Sequence, residues 1–278
     1  MVCKIESLNH DDVALVEGHV GDRRRGRNRD LFLEFEDEWK HAVQNYIEHQ
    51  GNPEHIVPIG IEEGRLKTAL HNLWDHPTGR SREIKDELQS HNLNYCPFCG
   101  EMGHPETHDH YLPKAHFAEF SIAHCNLVPM CDACQGRKRT EYLINGHKGF
   151  LHPYYDEGII INLSITGDFD PVPMIELEYA CPADLQLVLE THLDSLDVKE
   201  RIFKHLSNFY MGIVMGLTAA CANKEDVRQA IIDSLTINKT TYETISINHW
   251  DAIIYRSLLS SDEWIDHMVQ KCEAARAQ

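Results

Sequence analysis

Residues 96–138 read CPFCGEMGHPETHDHYLPKAHFAEFSIAHCNLVPMCDACQGRK, and this stretch decides the fold. It contains two C-x-x-C pairs, Cys96/Cys99 and Cys131/Cys134, with thirty-one residues between them. Each pair can turn so that both sulfurs face one cation. Two such pairs complete the tetrahedral thiolate shell that zinc takes in closed structural sites. Gly100 gives the first turn the backbone freedom it needs. A redox C-x-x-C follows a strand and opens a helix in a thioredoxin-like unit, and no such unit is evident. Iron–sulfur clusters use thiolates at other spacings. Cys125 pairs with nothing by spacing and reads as a small buried apolar residue. Structural Zn2+ on four cysteines is therefore the expectation. In small zinc peptides such a site contributes on the order of 10–16 kcal/mol to folding.

On the N-terminal side, residues 1–30 read as a poorly packed basic arm carrying Arg23, Arg24, Arg25, Arg27 and Arg29, either a solvated loop or a phosphate-contacting segment. A helical region, 31–92, follows. Phe32, Phe35, Trp39, Val43 and Tyr46 recur at helical spacing over 31–49. Leu66, Leu70 and Leu73 mark a second helix in 64–75, and Ser81 is placed as the N-cap of a third in 81–91. The metal-binding segment spans 93–150. Residues 151–183 form a β-rich extension, with two alternating strands turning near Gly167 and Asp168. A C-terminal helical region, 184–278, carries stripes such as Ile202, Phe203, Leu206, Phe209, Tyr210, Ile213 and Val214. The class is α+β.

The chain has 278 residues and a formal charge of −18, which argues against non-specific coating of nucleic acid. A local basic patch or a bound cation could still attract a polyanion. The longest apolar run, 209–222, is too short to span a bilayer, and the N-terminus lacks a secretory signal. No membrane partner and a cytoplasmic location are expected. Nine cysteines in a reducing compartment favour metal ligation over disulfides.

Between the cysteine pairs lie His108-Asp109-His110-Tyr111-Leu112-Pro113-Lys114 and Asn126-Leu127-Val128-Pro129. With both pairs and Lys138, these residues resemble the HNH endonucleases, the zinc-stapled branch of the ββα-metal nucleases. The resemblance covers about 45 residues. The longer string, with 117–122 and 150–156, more loosely resembles a bacterial HNH subgroup of anti-phage defence, some of whose members act beside an ATPase. The resemblance implies a ββα-metal (HNH) core flanked by helices and a hairpin. It also implies divalent-metal-dependent hydrolysis of phosphodiester bonds, with DNA as the expected partner and an ATPase as a second. It makes His110 the general base and Asp109 a ligand of a catalytic Mg2+ or Mn2+. Asn126 would hold the His110 backbone, and Gln135 would take the second metal position. Lys114, Arg137, Lys138 and Arg139 would contact phosphates. This assignment is chemically coherent. A neutral histidine can take a proton from water near pH 7, and magnesium needs only one or two protein oxygens.

Gln135 departs from the family pattern, which most often has asparagine or histidine there. Its carbonyl oxygen can ligate a hard cation. Alternatively, water or His108 replaces it, or the site has lost activity and the chain is a zinc-stabilised binding module. In a strand, His108 and His110 would share a face, with Asp109 opposite.

Overall fold

The computed structural model describes residues 3–7, 10–22, 28–90 and 92–277. Four helices come first: α1 (Asp12–Gly21), α2 (Arg29–Glu48), α3 (Arg65–Asp75) and α4 (Arg80–Gln89). Strand β1 (Thr107–His110) then leads through a loop with two short 3-10 turns to β2 (Leu127–Met130) and helix α5 (Asp132–Lys138). A small hairpin, β3 (Leu143–Ile144) and β4 (His147–Lys148), precedes a longer one, β5 (Ile160–Thr166) and β6 (Met174–Ala180). Five helices close the chain: α6 (Gln186–Ser195), α7 (Val198–Cys221), α8 (Val227–Glu243), α9 (Trp250–Ser260) and α10 (Asp262–Arg276). The structure is thus mixed α+β, mostly helical with small antiparallel hairpins. Buried apolar residues from Cys3 to Cys272 form one continuous cluster, so the segments share a core.

The helical stripes pack as their spacing demands. All five α2 residues of the stripe are buried, and α2 reaches the β1–β2 loop through two polar anchors. Trp39 Nε1 donates to the Glu119 carbonyl at 2.6 Å, and Tyr46 Oη donates to the Cys125 carbonyl at 3.1 Å. Two expectations need correction. Ser81 is not the N-cap of α4. Gly79, with φ +52°, holds that position, and Ser81 is buried in the first turn. Phe203 is exposed on α7, although its neighbours Ile202 and Leu206 are buried.

The N-terminal arm is also more ordered than its composition suggests. Asp11 caps α1 by accepting from the Ala14 N–H at 2.9 Å, and Val16 and Val20 are buried. Cys3 donates its backbone N–H to the Pro97 carbonyl at 2.8 Å, which ties the arm to the first cysteine turn. Arg23, Arg24, Arg25 and Arg27 lie outside the described residues.

The β5–β6 hairpin pairs in register from Ile160↔Ala180 to Thr166↔Met174, and Gly167 with φ +83° follows the first strand. Its β5 edge is covered by the C-terminal region. Ile161 N–H donates to Asn248 Oδ1 at 3.0 Å, and Leu163 N–H to Ser257 Oγ at 2.8 Å. Side chains thereby satisfy donors that an open edge would expose.

Candidate metal centre and adjoining site

The Cys96–Cys99 turn is closed by two backbone bonds, Gly100 N–H to the Cys96 carbonyl at 2.7 Å and Cys96 N–H to the Glu101 carbonyl at 2.9 Å. Gly100 has φ +78°, a conformation that suits glycine. Cys131 ends the second strand and N-caps α5, and Cys134 lies in the first turn of that helix. The four sulfurs all lie within 4.8 Å of one another. Cys99 Sγ and Cys131 Sγ are 3.9 Å apart. That separation is too long for a disulfide. Two sulfurs about 2.3 Å from one tetrahedral zinc would stand roughly 3.8 Å apart, so the cluster fits a structural Zn2+.

The surroundings suit an anionic thiolate cage. Arg201, from α7, donates Nη1 to Cys134 Sγ at 3.3 Å and Nη2 to Cys99 Sγ at 3.4 Å. It also pairs with Glu101, and its guanidinium lies 5.4 Å from the centre of the Trp250 ring. Burial alone would lower the Arg201 pKa, but the sulfurs of Cys99 and Cys134 hold it above its ordinary value. Burial pushes the Cys96 and Cys99 thiols up, whereas hydrogen bonds from Cys134, Cys96 and Cys99 pull Cys131 down. Trp250 Nε1 donates to the Cys99 carbonyl at 2.5 Å. The C-terminal helices therefore brace the four-cysteine cluster directly, a role their sequence does not announce.

Beyond the second cysteine pair, α5 carries side chains back to β1. Strands β1 and β2 pair antiparallel, with His110 opposite Leu127 and Asp109 opposite Val128. Lys138, on the last turn of α5, is fully buried. Its Nζ stands 2.7 Å from Asp109 Oδ2 and donates to the His110 carbonyl at 3.2 Å. The Asp109 contact is an ion pair by distance without hydrogen-bond alignment at Oδ2. Gln135 lies near enough to Asp109 to favour its ionised form. Burial pushes the Asp109 carboxyl up from its ordinary value, opposed by the Lys138 charge and by the nearby donor groups of Lys138 and Gln135. Asp109, Gln135 and Lys138 therefore converge, but Lys138 is buried against β1 and does not present its ammonium to a surface phosphate.

His110 lies on the other side of the strand. Its ring meets Trp74 edge-on at 5.4 Å, and the His108 ring meets the same Trp74 at 6.3 Å, so the two histidines share a face. His110 Nε2 stands 3.0 Å from the Ser121 carbonyl. A carbonyl only accepts, so Nε2 carries the proton, and in the neutral ring Nδ1 keeps its lone pair. Burial lowers the His110 pKa to about 3. His108 Nε2 likewise lies 3.0 Å from a carbonyl, that of Leu88 on α4.

Asn126 is fully buried. Its Oδ1 accepts from the Leu112 N–H at 2.7 Å, and its Nδ2 donates to the Leu112 carbonyl at 3.0 Å. It thus fastens the chain just beyond His110, while Lys138 holds the His110 carbonyl itself. Lys114 pairs with Asp75, and Arg137 Nε with Asp197 Oδ2 at 2.8 Å. Arg139 is exposed and donates Nε to the Gly136 carbonyl at 3.1 Å.

Asp12 escaped the sequence reading altogether. Its carboxylate accepts from the backbone N–H groups of His124 at 2.8 Å and Cys125 at 3.0 Å. Burial would raise its pKa, but the side-chain bond and charge of His124 and these backbone donors hold it below the ordinary value. The signal was weak, one acidic residue at the start of a short helix.

A comparison with known protein families finds no match. The chain is similar to protein ea31 of Escherichia phage lambda, 31% identical over 112 residues. The match covers 40% of this chain and 38% of ea31, so it spans well under half of that relative. No solved structure matches. Among the described residues, no helix is long and apolar enough to cross a membrane.

Two outcomes test this arrangement. Arg201→Ala should weaken zinc binding about 10–100-fold, read by competition with a chromophoric chelator. An unchanged affinity would reduce Arg201 to a packing partner of Trp250. Lys138→Met, which leaves Asp109 buried without its cation, should cost about 3–5 kcal/mol in denaturant unfolding of the zinc-loaded protein. Adding Asp109→Asn to that variant should recover much of the loss.

Proposed function

We propose that this chain is a zinc-stabilised, divalent-metal-dependent endonuclease of the HNH type that hydrolyses phosphodiester bonds, with DNA as substrate. The observation that carries the reading is one β1–loop–β2–α5 unit, its ends held by four cysteines, that sets Gln135 near Asp109 and His110 beside Asp109 on the other face of β1. In this reading, the four-cysteine cluster holds Zn2+ as scaffold, and the unit is a ββα-metal core. Asp109 and Gln135 supply oxygen ligands for Mg2+ or Mn2+, which suits a hard cation that keeps several waters. Bound there, that cation would polarise the scissile phosphate and stabilise the departing oxygen.

The protein's own residues supply the rest. His110 Nδ1 takes a proton from water as the water oxygen bonds to phosphorus, and the ester oxygen departs. The Ser121 carbonyl fixes the tautomer through Nε2 and stabilises the imidazolium that forms. Burial keeps His110 neutral at pH 7 but weakens it as a base, and the anionic phosphate of a bound substrate would raise its basicity again. Asn126 holds the residues after His110 against the β2 side of the loop. Lys114, Arg137 and Arg139 are the available phosphate contacts. A role in anti-phage defence beside an ATPase, in the cytoplasm, completes the proposal.

One observation favours a second reading, a zinc-stabilised nucleic-acid or protein binding module with little or no catalysis. Lys138 already stands 2.7 Å from Asp109 and so compensates the carboxylate without a divalent cation.

Purified zinc-loaded protein, with candidate ATPase partners supplied, should nick or cut DNA with Mg2+ or Mn2+. His110→Ala should reduce cleavage at least about 100-fold, the usual contribution of a general base, without changing zinc content. Cutting by His110→Ala at the parental rate would remove His110 from the mechanism. Zinc-dependent nucleic-acid binding with no metal-dependent cleavage would select the binding module.

A further inference from the structure

Away from the four cysteines, three potential ligands meet where the N-terminal arm, α4 and the β1–β2 loop come together. His10, Glu87 and His124 each offer one ligand atom, and these atoms lie within 4.8 Å of one another. His10 Nε2 is 2.9 Å from Glu87 Oε1. Two donors on one ion, each about 2.0–2.1 Å from it, stand roughly 3 Å apart. The His10 and His124 rings stack with centroids 4.1 Å apart and planes 15° apart.

The decisive atom is His124 Nε2. It is buried and has no hydrogen-bond partner. The other nitrogen, Nδ1, is 3.2 Å from Asp12 Oδ1. A carboxylate accepts, so Nδ1 carries the proton and Nε2 turns a lone pair into the site. A carboxylate behind one imidazole nitrogen and an open lone pair on the other is the pattern of histidines that ligate metals. Simple stacking with a His10–Glu87 ion pair would leave that nitrogen unsatisfied, at a cost of about 1–3 kcal/mol. His10 and Glu87 remain partly exposed, which leaves a solvent-facing position for water.

We propose that His10, Glu87 and His124 form a second transition-metal site, of the two-imidazole, one-carboxylate class that suits Zn2+, with water completing the shell. Mg2+ and Ca2+ prefer all-oxygen shells and are disfavoured here. Asp12 is the positioning residue: it fixes the His124 ring and also receives the His124 and Cys125 N–H groups. The site would tie three elements around β1. Glu87 is next to Leu88, whose carbonyl meets His108, and His124 is three residues from Ser121, whose carbonyl meets His110. The proposal is independent of the nuclease reading.

The test is zinc stoichiometry and calorimetric titration of the full-length protein with Zn2+, for the parent and for His10→Ala and Glu87→Gln. Both substitutions fall on partly exposed side chains. Retention of the cysteine-bound equivalent, seen in Co2+-loaded protein as sulfur-to-metal charge-transfer absorption, shows that each variant is folded. The parent should bind one equivalent beyond that of the cysteines, without added charge-transfer intensity, and both variants should lose it. The proposal is overturned if the saturated parent holds only the cysteine-bound equivalent, or if both variants keep the second at parental affinity.

Discussion

The gathering of the Cys96, Cys99, Cys131 and Cys134 sulfurs within 4.8 Å of one another is the constraint on which the neighbouring geometry depends. Cys131 both ends β2 and caps α5. Fixing its sulfur therefore fixes the first turn of that helix. Gln135 and Lys138, one and two turns along, then point at the strand that carries Asp109. β1 and β2 are only four residues each, and Leu127, Val128 and Met130 of β2 are fully buried in the continuous core. Short hairpins of that length are marginal by themselves, so the surrounding core and polar anchors supply the order, and a Zn2+ on the four cysteines would add to it. Arg201 matters for the same reason. Four thiolates outweigh a dication by two charges, and a buried guanidinium bonded to the sulfurs offsets that excess at short range.

Inside this frame the buried pair of Lys138 and Asp109 has an unusual position. Burying both charges is expensive, and their attraction repays the cost only with good geometry and further bonds. Here the ammonium also donates to the His110 carbonyl, and Gln135 lies near enough to favour the ionised carboxylate. The pair therefore joins the end of α5 to two adjacent residues of β1. It sets where the His110 backbone lies, and so where its imidazole lies against Trp74 and Ser121.

Much of this was legible in the sequence, for identifiable reasons. Close cysteine pairs admit few uses, and the apolar residues of α2, α9 and α10 recur at the helical period. The alternation of β1 correctly put His108 and His110 on one face. What escaped the sequence depends on long-range contacts without local signatures. Arg201 and Trp250 reach the cysteines from 70 to 150 residues away along the chain. Asp12 reads as a helix-start acid, yet its oxygens receive a loop more than a hundred residues away. Ser81 matched the preferred chemistry of a cap, but a glycine with positive φ, Gly79, turned the chain two residues earlier. Lys138 sits in a basic run that suggests a solvated face, and burial cannot be seen in a charge run.

That last case bears on how an acidic chain could hold a polyanion. Three of the four cations expected at phosphates already face a carboxylate, and magnitude separates them. Lys114 with Asp75 and Arg137 with Asp197 are partly exposed pairs, a class whose net worth is about 0–1 kcal/mol. A phosphate can replace either carboxylate at little cost. Lys138 with Asp109 is buried, and opening it would leave a charge uncompensated at a cost of several kcal/mol, about 3–5. In the proposed function, electrostatic contact with a backbone phosphate would therefore fall to Lys114, Arg137 and the exposed Arg139. The buried lysine contributes by fixing the position of the strand those residues flank. The lysine that the nuclease resemblance put at a phosphate is thus the cation whose charge is least free to leave its partner.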